Sequence, residues 1–144
     1  MREILFRGKQ MDNGEWIEGY LTYRYRYDQQ SKKEILGPVI DCPHKFTLGN
    51  ATGIVIGSIK VVPGTEGQFT GLTDKNGVKI FEGDIVQATD MNDTDLVGMV
   101  VWRYDAWCVS GPNWADSLHM ANYLHKLAVI GNIHDQPDLL EVSK

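Results

Sequence analysis

Three groups of side chains have the types and spacing to do chemistry. The first lies in "GQFTGLTDKNGVKIFEGDIV" (residues 67–86), where Asp74, Glu82 and Asp84 fall within a single hairpin's length. Three acids so close could offer oxygen ligands to a divalent cation and support a metal-dependent hydrolase. A calcium loop needs oxygen ligands at alternating positions, a central glycine and a closing glutamate. Asp74 and Asn76 match the first spacing, but Gly77 comes too early. A phosphate loop needs a glycine-rich turn ending in Lys-Ser or Lys-Thr, and this stretch has none. The simpler account is architectural: Asn76-Gly77 makes a tight turn, and Glu82-Gly83-Asp84 reverses the chain while the Asp side chain accepts backbone amides.

The second group is "DCPHK", with Cys42 two residues from His44. Structural zinc needs four ligands, usually as two close pairs, and Cys108, His119, His125 and His134 are scattered. Cysteine-histidine nucleophilic chemistry is open in principle, but both cysteines read as small buried apolar residues. The third group is "YLTYRYRYD". Tyr23, Tyr25 and Tyr27 alternate with Arg24 and Arg26, which on a strand puts a tyrosine stripe on one face and the arginines on the other. Tyrosine and arginine are enriched at protein interfaces. Aromatic platforms beside guanidinium groups also serve single-stranded nucleic-acid binders, although opposed faces keep both sets from one ligand. Trp102, Trp107 and Trp114 are close in sequence; Trp102 and Tyr104 share a strand face with Val100, which fits core packing, and a cage for a cation would need several ring faces around one point.

These groups must be positioned by a chain of 144 residues, long enough to bury a core without disulfides or metals. A net charge of −5 disfavours a general grip on nucleic-acid backbone, which depends on Lys and Arg displacing counterions. No apolar run approaches the length of a membrane span, the N-terminus lacks a signal-peptide core, and two cysteines are too few for a secreted scaffold. Cytoplasmic residence with free thiols is expected, without a membrane partner.

The pattern is β for most of its length. Asn13-Gly14 and Asn76-Gly77 mark hairpins. "EWIEGYLTYRYRY" alternates as a strand, and "DQQSKK" reads as a polar loop. "EILGPVIDC" and "GIVIGSIKVV" read as short strands bent by glycine and proline. "LVGMVVWRY" pairs with "WCVSG", "LHKLAVIGNI" is the last strand, and residues 112–126 fit either a short helix or a loose strand. "HDQPDLLEV" reads as a terminal helical turn capped by Asp135, with Pro137 in its first turn. "PGTEG" suggests a boundary between residues 1–62, an N-terminal β-hairpin subdomain, and residues 63–144, whose short strands and turns point to a small barrel or sandwich, unless the two pack as one unit.

With "ILFRGK" (4–9), "NGEWIEGYL" (13–21), the 67–86 block and "VIGNIHDQPDLL" (129–140) in order along nearly the whole chain, the sequence resembles the YopX family of phage and prophage proteins. The resemblance implies a mostly β protein in which hairpins lead into an SH3-like small barrel. It implies no reaction and brings no catalytic residue. The expected role is that of a non-enzymatic accessory protein, oligomeric with itself, that binds an unidentified host or phage protein through Tyr23, Arg24, Tyr25, Arg26 and Tyr27. The alternative is a weak single-stranded nucleic-acid-binding module on the same strand. No cofactor, catalytic residue or metal ligand is expected.

Overall fold

Turn chemistry draws the first strands together. The computed structural model describes residues 4–141 and begins with β1 (Phe6–Lys9) and β2 (Trp16–Asp28). They form the expected hairpin: Asn13 Oδ1 accepts the Glu15 amide at 2.9 Å, and Gly14 takes φ +71°, a conformation that favours glycine. β3 (Lys33–Leu48) returns along β2, and β4 (Ala51–Lys60) returns along β3. The stretch read as a polar loop after β2 is a tight turn, because the Asp28 carboxylate accepts the Ser31 amide at 2.9 Å.

β3 and β4 are longer and more regular than the expected short, bent strands. The reason lies in where the prolines fall. Pro38 faces β4 and supplies only its carbonyl, which accepts the Val61 amide at 3.3 Å. Strand alternation turns the nitrogen of Pro43 to the other side, just past Tyr20↔Asp41, where β2 has stopped pairing with β3. The missing amide of Pro38 falls opposite Val61, just past the last β3–β4 pair at Val39↔Lys60, and that of Pro43 faces no paired strand, so the strand runs through both.

By its internal contacts, the chain from Ile4 to Gln68 forms one compact unit and the chain from Phe69 onward another. β5 (Gly67–Thr73) crosses that division. Gly67 and Gln68 pair with β1, and Phe69 and Thr73 pair with β6 (Lys79–Phe81). In the second unit β7 (Asp84–Thr89), β8 (Asp95–Arg103), β9 (Ala106–Ser110), β10 (Ala115–Ser117) and β11 (Ala128–Asn132) form a sheet of order β10-β9-β8-β7-β11. The β8–β9 turn holds both Tyr104 and Asp105 at positive φ, the geometry of a two-residue hairpin.

The ambiguous 112–126 segment resolves into β10 and a helix, α1 (Leu118–His125), whose first turn is capped by Ser117 Oγ accepting the Met120 amide at 3.3 Å. Leu118 and Ala121 turn from α1 into a core with Ile80, Val86, Ala88, Val100, Val109 and Leu127. A 3-10 turn at Pro137–Leu140 ends the described chain, with Pro137 in its first turn as expected. Asp135 does not cap it: Gln136 holds that position without a side-chain cap, and Asn132 Oδ1 instead accepts the amides of His134 and Asp135. Strands dominate the described residues, in two antiparallel sheets with one α-helix. Among the described residues no closed barrel forms, because β10 and β11 remain the edges of their sheet.

Two acids fix the turns of the 67–86 block. Asp84 Oδ2 accepts the Phe81 amide at 2.7 Å across Gly83, whose φ is +87°. Asp74 Oδ1 accepts the amides of Asn76 (2.8 Å) and Val78 (2.9 Å), and its Oδ2 accepts that of Val129 (2.8 Å). Burial pushes the Asp74 carboxyl up, but these three amides and nearby Lys75 outweigh it and leave it below the ordinary 3.8. A carboxyl lowered on folding contributes stability that is complete above its unfolded pKa and fades as pH falls through its folded value. Asp74→Ala is expected to cost about 2–4 kcal/mol in urea unfolding at pH 7, because buried amides lose a charged acceptor. The gap between variant and parent should narrow below about pH 4, where the Asp74 carboxyl of the unfolded parent begins to take up protons that the folded one still refuses.

Candidate protein interface

Strand alternation places the Tyr/Arg strand in register with β3. Tyr23 lies opposite Pro38, Tyr25 opposite Leu36 and Tyr27 opposite Glu34, so the tyrosines and Leu36 share one face. Arg24 lies opposite Gly37 and Arg26 opposite Ile35, on the other face. Tyr23, Tyr25, Tyr27 and Leu36 are 51%, 74%, 54% and 56% exposed. Four large side chains on two neighbouring strands therefore stand in solvent as one patch. Tyr23 is steadied by donating its hydroxyl to Glu66 Oε1 at 3.2 Å, and its pKa is raised by burial and by the Glu66 charge.

The arginine face is engaged differently. Arg24 Nη2 reaches Asp41 Oδ2 at 3.2 Å, and Asp41 also accepts from Ser58 Oγ at 2.6 Å and Thr22 Oγ1 at 3.5 Å. The four residues come from β2, β3 and β4 and bind the three strands together on that face. Asp41 is held below its ordinary pKa, chiefly by the Ser58 hydroxyl and then by Arg24, against the opposing effect of burial. Arg26 lies over Gly37, where a Cβ would come within 3.0 Å of its Nε, and meets Met11 Sδ. Of the five expected interface residues, the three tyrosines form a solvent-facing stripe, and the two arginines pack on the opposite face.

The other candidate sites separate once placed. Asp74 and Asp84 each hold backbone amides in different turns, and no group of three or more metal-ligating side chains converges among the described residues. Cys42 and His44 do meet, with Sγ 3.6 Å from Nε2. Burial, then the charge of Asp41, raises the Cys42 thiol and so disfavours the thiolate that nucleophilic work requires. Trp102 and Trp107 pack edge to face across the β8–β9 ladder with centroids 4.9 Å apart, whereas Trp114 donates its indole N–H to the Val97 carbonyl. No helix among the described residues is long and apolar enough to cross a membrane.

Comparison with known proteins matches residues 5–141 to the YopX protein family. The chain belongs to the YopX family. A similar solved structure is that of protein EF1440 from Enterococcus faecalis, with a TM-score of 0.58 and 25% identity over 97% of this chain and 99% of that one. No curated protein matches. The YopX match spans both compact units, so the three-strand layer carrying the tyrosine stripe lies within the family region.

The Asp41 network missed by the sequence reading has a measurable signature. Ser58→Ala and Arg24→Ala should each raise the Asp41 pKa, and the double variant should bring it nearest to its ordinary value. Side-chain carboxyl titration by NMR reads the shifts; an Asp41 pKa unmoved by either substitution would remove that residue from the network.

Proposed function

We propose that the protein is a non-enzymatic accessory protein of phage or prophage origin that works in the bacterial cytoplasm by binding another protein, and that it assembles with itself. The observation that carries this reading is the exposed stripe of Tyr23, Tyr25 and Tyr27 with Leu36 on one face of β2 and β3. Tyrosine supplies a large, rigid contact surface with a polar end at little entropic cost, which is why it recurs at binding hot spots. The first unit adds support. Its described buried apolar residues are Val39, Ile40, Cys42 and Val61, while Tyr20, Ile54 and Ile56 stand open on the face of the same layer opposite the stripe. Exposed apolar surface gathered on one part of a protein marks an interaction site more often than chance does. The SH3-like barrel implied by the family resemblance belongs to the same reading, with the five-stranded sheet and α1 as an opened form of it.

Single-stranded nucleic acid is the second reading, because the stripe offers stacking faces. The pairing of Arg24 with Asp41 argues against it, since that guanidinium's charge is already matched by a carboxylate.

Tagged full-length protein, incubated with host lysate with and without nuclease, separates the two. The expected result is a discrete protein partner that survives nuclease and falls about tenfold or more in recovery with Tyr25→Ala/Tyr27→Ala, as loss of a hot spot would give. Circular dichroism of the double variant should match the parent. Capture unchanged in the double variant removes the stripe from the reading. Capture abolished by nuclease, and by added salt, moves the function to nucleic acid.

A further inference from the structure

β4 is the outer strand of its sheet and pairs with β3 on one side only. Edge strands normally carry a guard against pairing: a charge, a proline, a bulge or a very short length. β4 has ten residues, its register with β3 runs without a shift, and residues 51–59 hold no charged residue and no proline. Ile54 and Ile56 are 66% and 68% exposed.

The direction of the free backbone groups follows from the ladder. Val61 donates its amide to Pro38 on β3, so odd-numbered residues of β4 turn their amides and carbonyls to β3. Thr52, Ile54, Ile56 and Ser58 turn theirs outward. Lys60, next in that series, agrees: its carbonyl accepts the Met11 amide at 3.0 Å rather than a β3 donor. That contact also ends the open edge, which runs up to Ser58.

The open segment reads Thr52-Gly53-Ile54-Val55-Ile56-Gly57-Ser58, which is close to a palindrome about Val55. Two antiparallel strands related by a two-fold axis pair residues whose numbers have a constant sum. With the axis at Val55, Val55 meets its own copy, Ile54 meets Ile56, Gly53 meets Gly57 and Thr52 meets Ser58. The residues with outward backbone groups then oppose each other in four pairs that exchange two bonds each, about eight in all. Ile54 and Ile56 from both copies gather on one face. Moving the axis to midway between two residues would oppose odd-numbered residues to even-numbered ones and break this pattern, and moving it to Ile54 or Ile56 would keep the backbone pairing but lose the side-chain match.

We propose that β4 is the self-association edge of this protein: two copies pair antiparallel through Thr52–Ser58 about a two-fold axis at Val55, continuing one sheet through both. The occupant is a second copy because the segment is complementary to itself in side-chain size, polarity and backbone direction together. The inference rests on the self-assembly part of the proposed function and names its surface and register.

The register gives a direct test on the full chain. At the axis Val55 forms a non-hydrogen-bonded pair with Cα atoms about 4.5 Å apart, inside the disulfide range of about 4.4–6.8 Å. Val55→Cys should therefore form a covalent dimer under mild oxidation on a non-reducing gel. Thr52→Cys, which meets Ser58 in this register, should not, and neither should the parent with Cys42 and Cys108. Sedimentation across a dilution series should show the parent dissociating and Ile54→Pro shifted to monomer, because that proline deletes an outward amide and leaves the β3 ladder intact. A parent that is monomeric throughout, with Val55→Cys uncrosslinked, overturns the proposal. So does an oligomer that Ile54→Pro leaves intact while Val55→Cys stays uncrosslinked; self-assembly then holds through another surface. Partner capture through Tyr25 and Tyr27 is read separately, so failure of either leaves the other measurable.

Discussion

The Asp74 carboxylate accepts the amides of Asn76, Val78 and Val129, and the local order of the second unit depends on it. Two of those bonds close the β5–β6 hairpin, and the third joins the hairpin to β11. Around it, Lys75 donates its amide to the Leu127 carbonyl and Asn122 donates its side-chain amide to that of Thr73. The turn, the end of α1 and the start of β11 therefore converge on one buried anion. A carboxylate has only about four acceptor positions, and three here serve backbone. This is why the stretch that looks richest in ligands serves as architecture: its acids answer the backbone's own demand for partners.

That demand also explains what the sequence disclosed. Asn13-Gly14 and Asn76-Gly77 were legible because positive φ is a local property carried by the residue type. The split of Tyr23, Tyr25 and Tyr27 from Arg24 and Arg26 was legible because strand alternation is also local. The lengths of β3 and β4 were not. Whether Pro38 or Pro43 breaks a strand depends on what lies beside its nitrogen, and that is decided by register between strands far apart in sequence. The Asp41 network escaped for the same reason. Arg24, Asp41 and Ser58 belong to three strands, and no spacing along one strand announces that they meet. The palindrome in β4 was in plain sight as letters, but it acquires meaning only once that strand is known to be an edge.

The two compact units solve the problem of apolar surface unequally. The second encloses Ile80, Val86, Val100, Val109, Leu118 and Leu127 between sheet and helix. In the first, β2, β3 and β4 form a layer with large apolar side chains open on both faces: Tyr25, Leu36 and Val55 on one, Tyr20, Ile54 and Ile56 on the other. A solvated sheet face normally alternates to polar residues. Here alternation delivers aromatic and β-branched residues to solvent instead, at a cost in solubility.

The tyrosine face and the β4 edge are compatible uses of that layer. A strand added at an edge occupies the hydrogen-bonding direction and leaves both faces of the sheet free. The two-fold axis of antiparallel pairing stands perpendicular to the sheet, so paired residues share a face and the tyrosine stripes of two copies point the same way. A partner presenting two binding segments, or a surface carrying many copies of one, would then meet both stripes at once. The second contact becomes intramolecular, and overall binding can exceed that of a single stripe by about 10²–10⁴ without any new residue being involved. Pairing through the proposed β4 edge would thus leave the aromatic face open and make it bivalent.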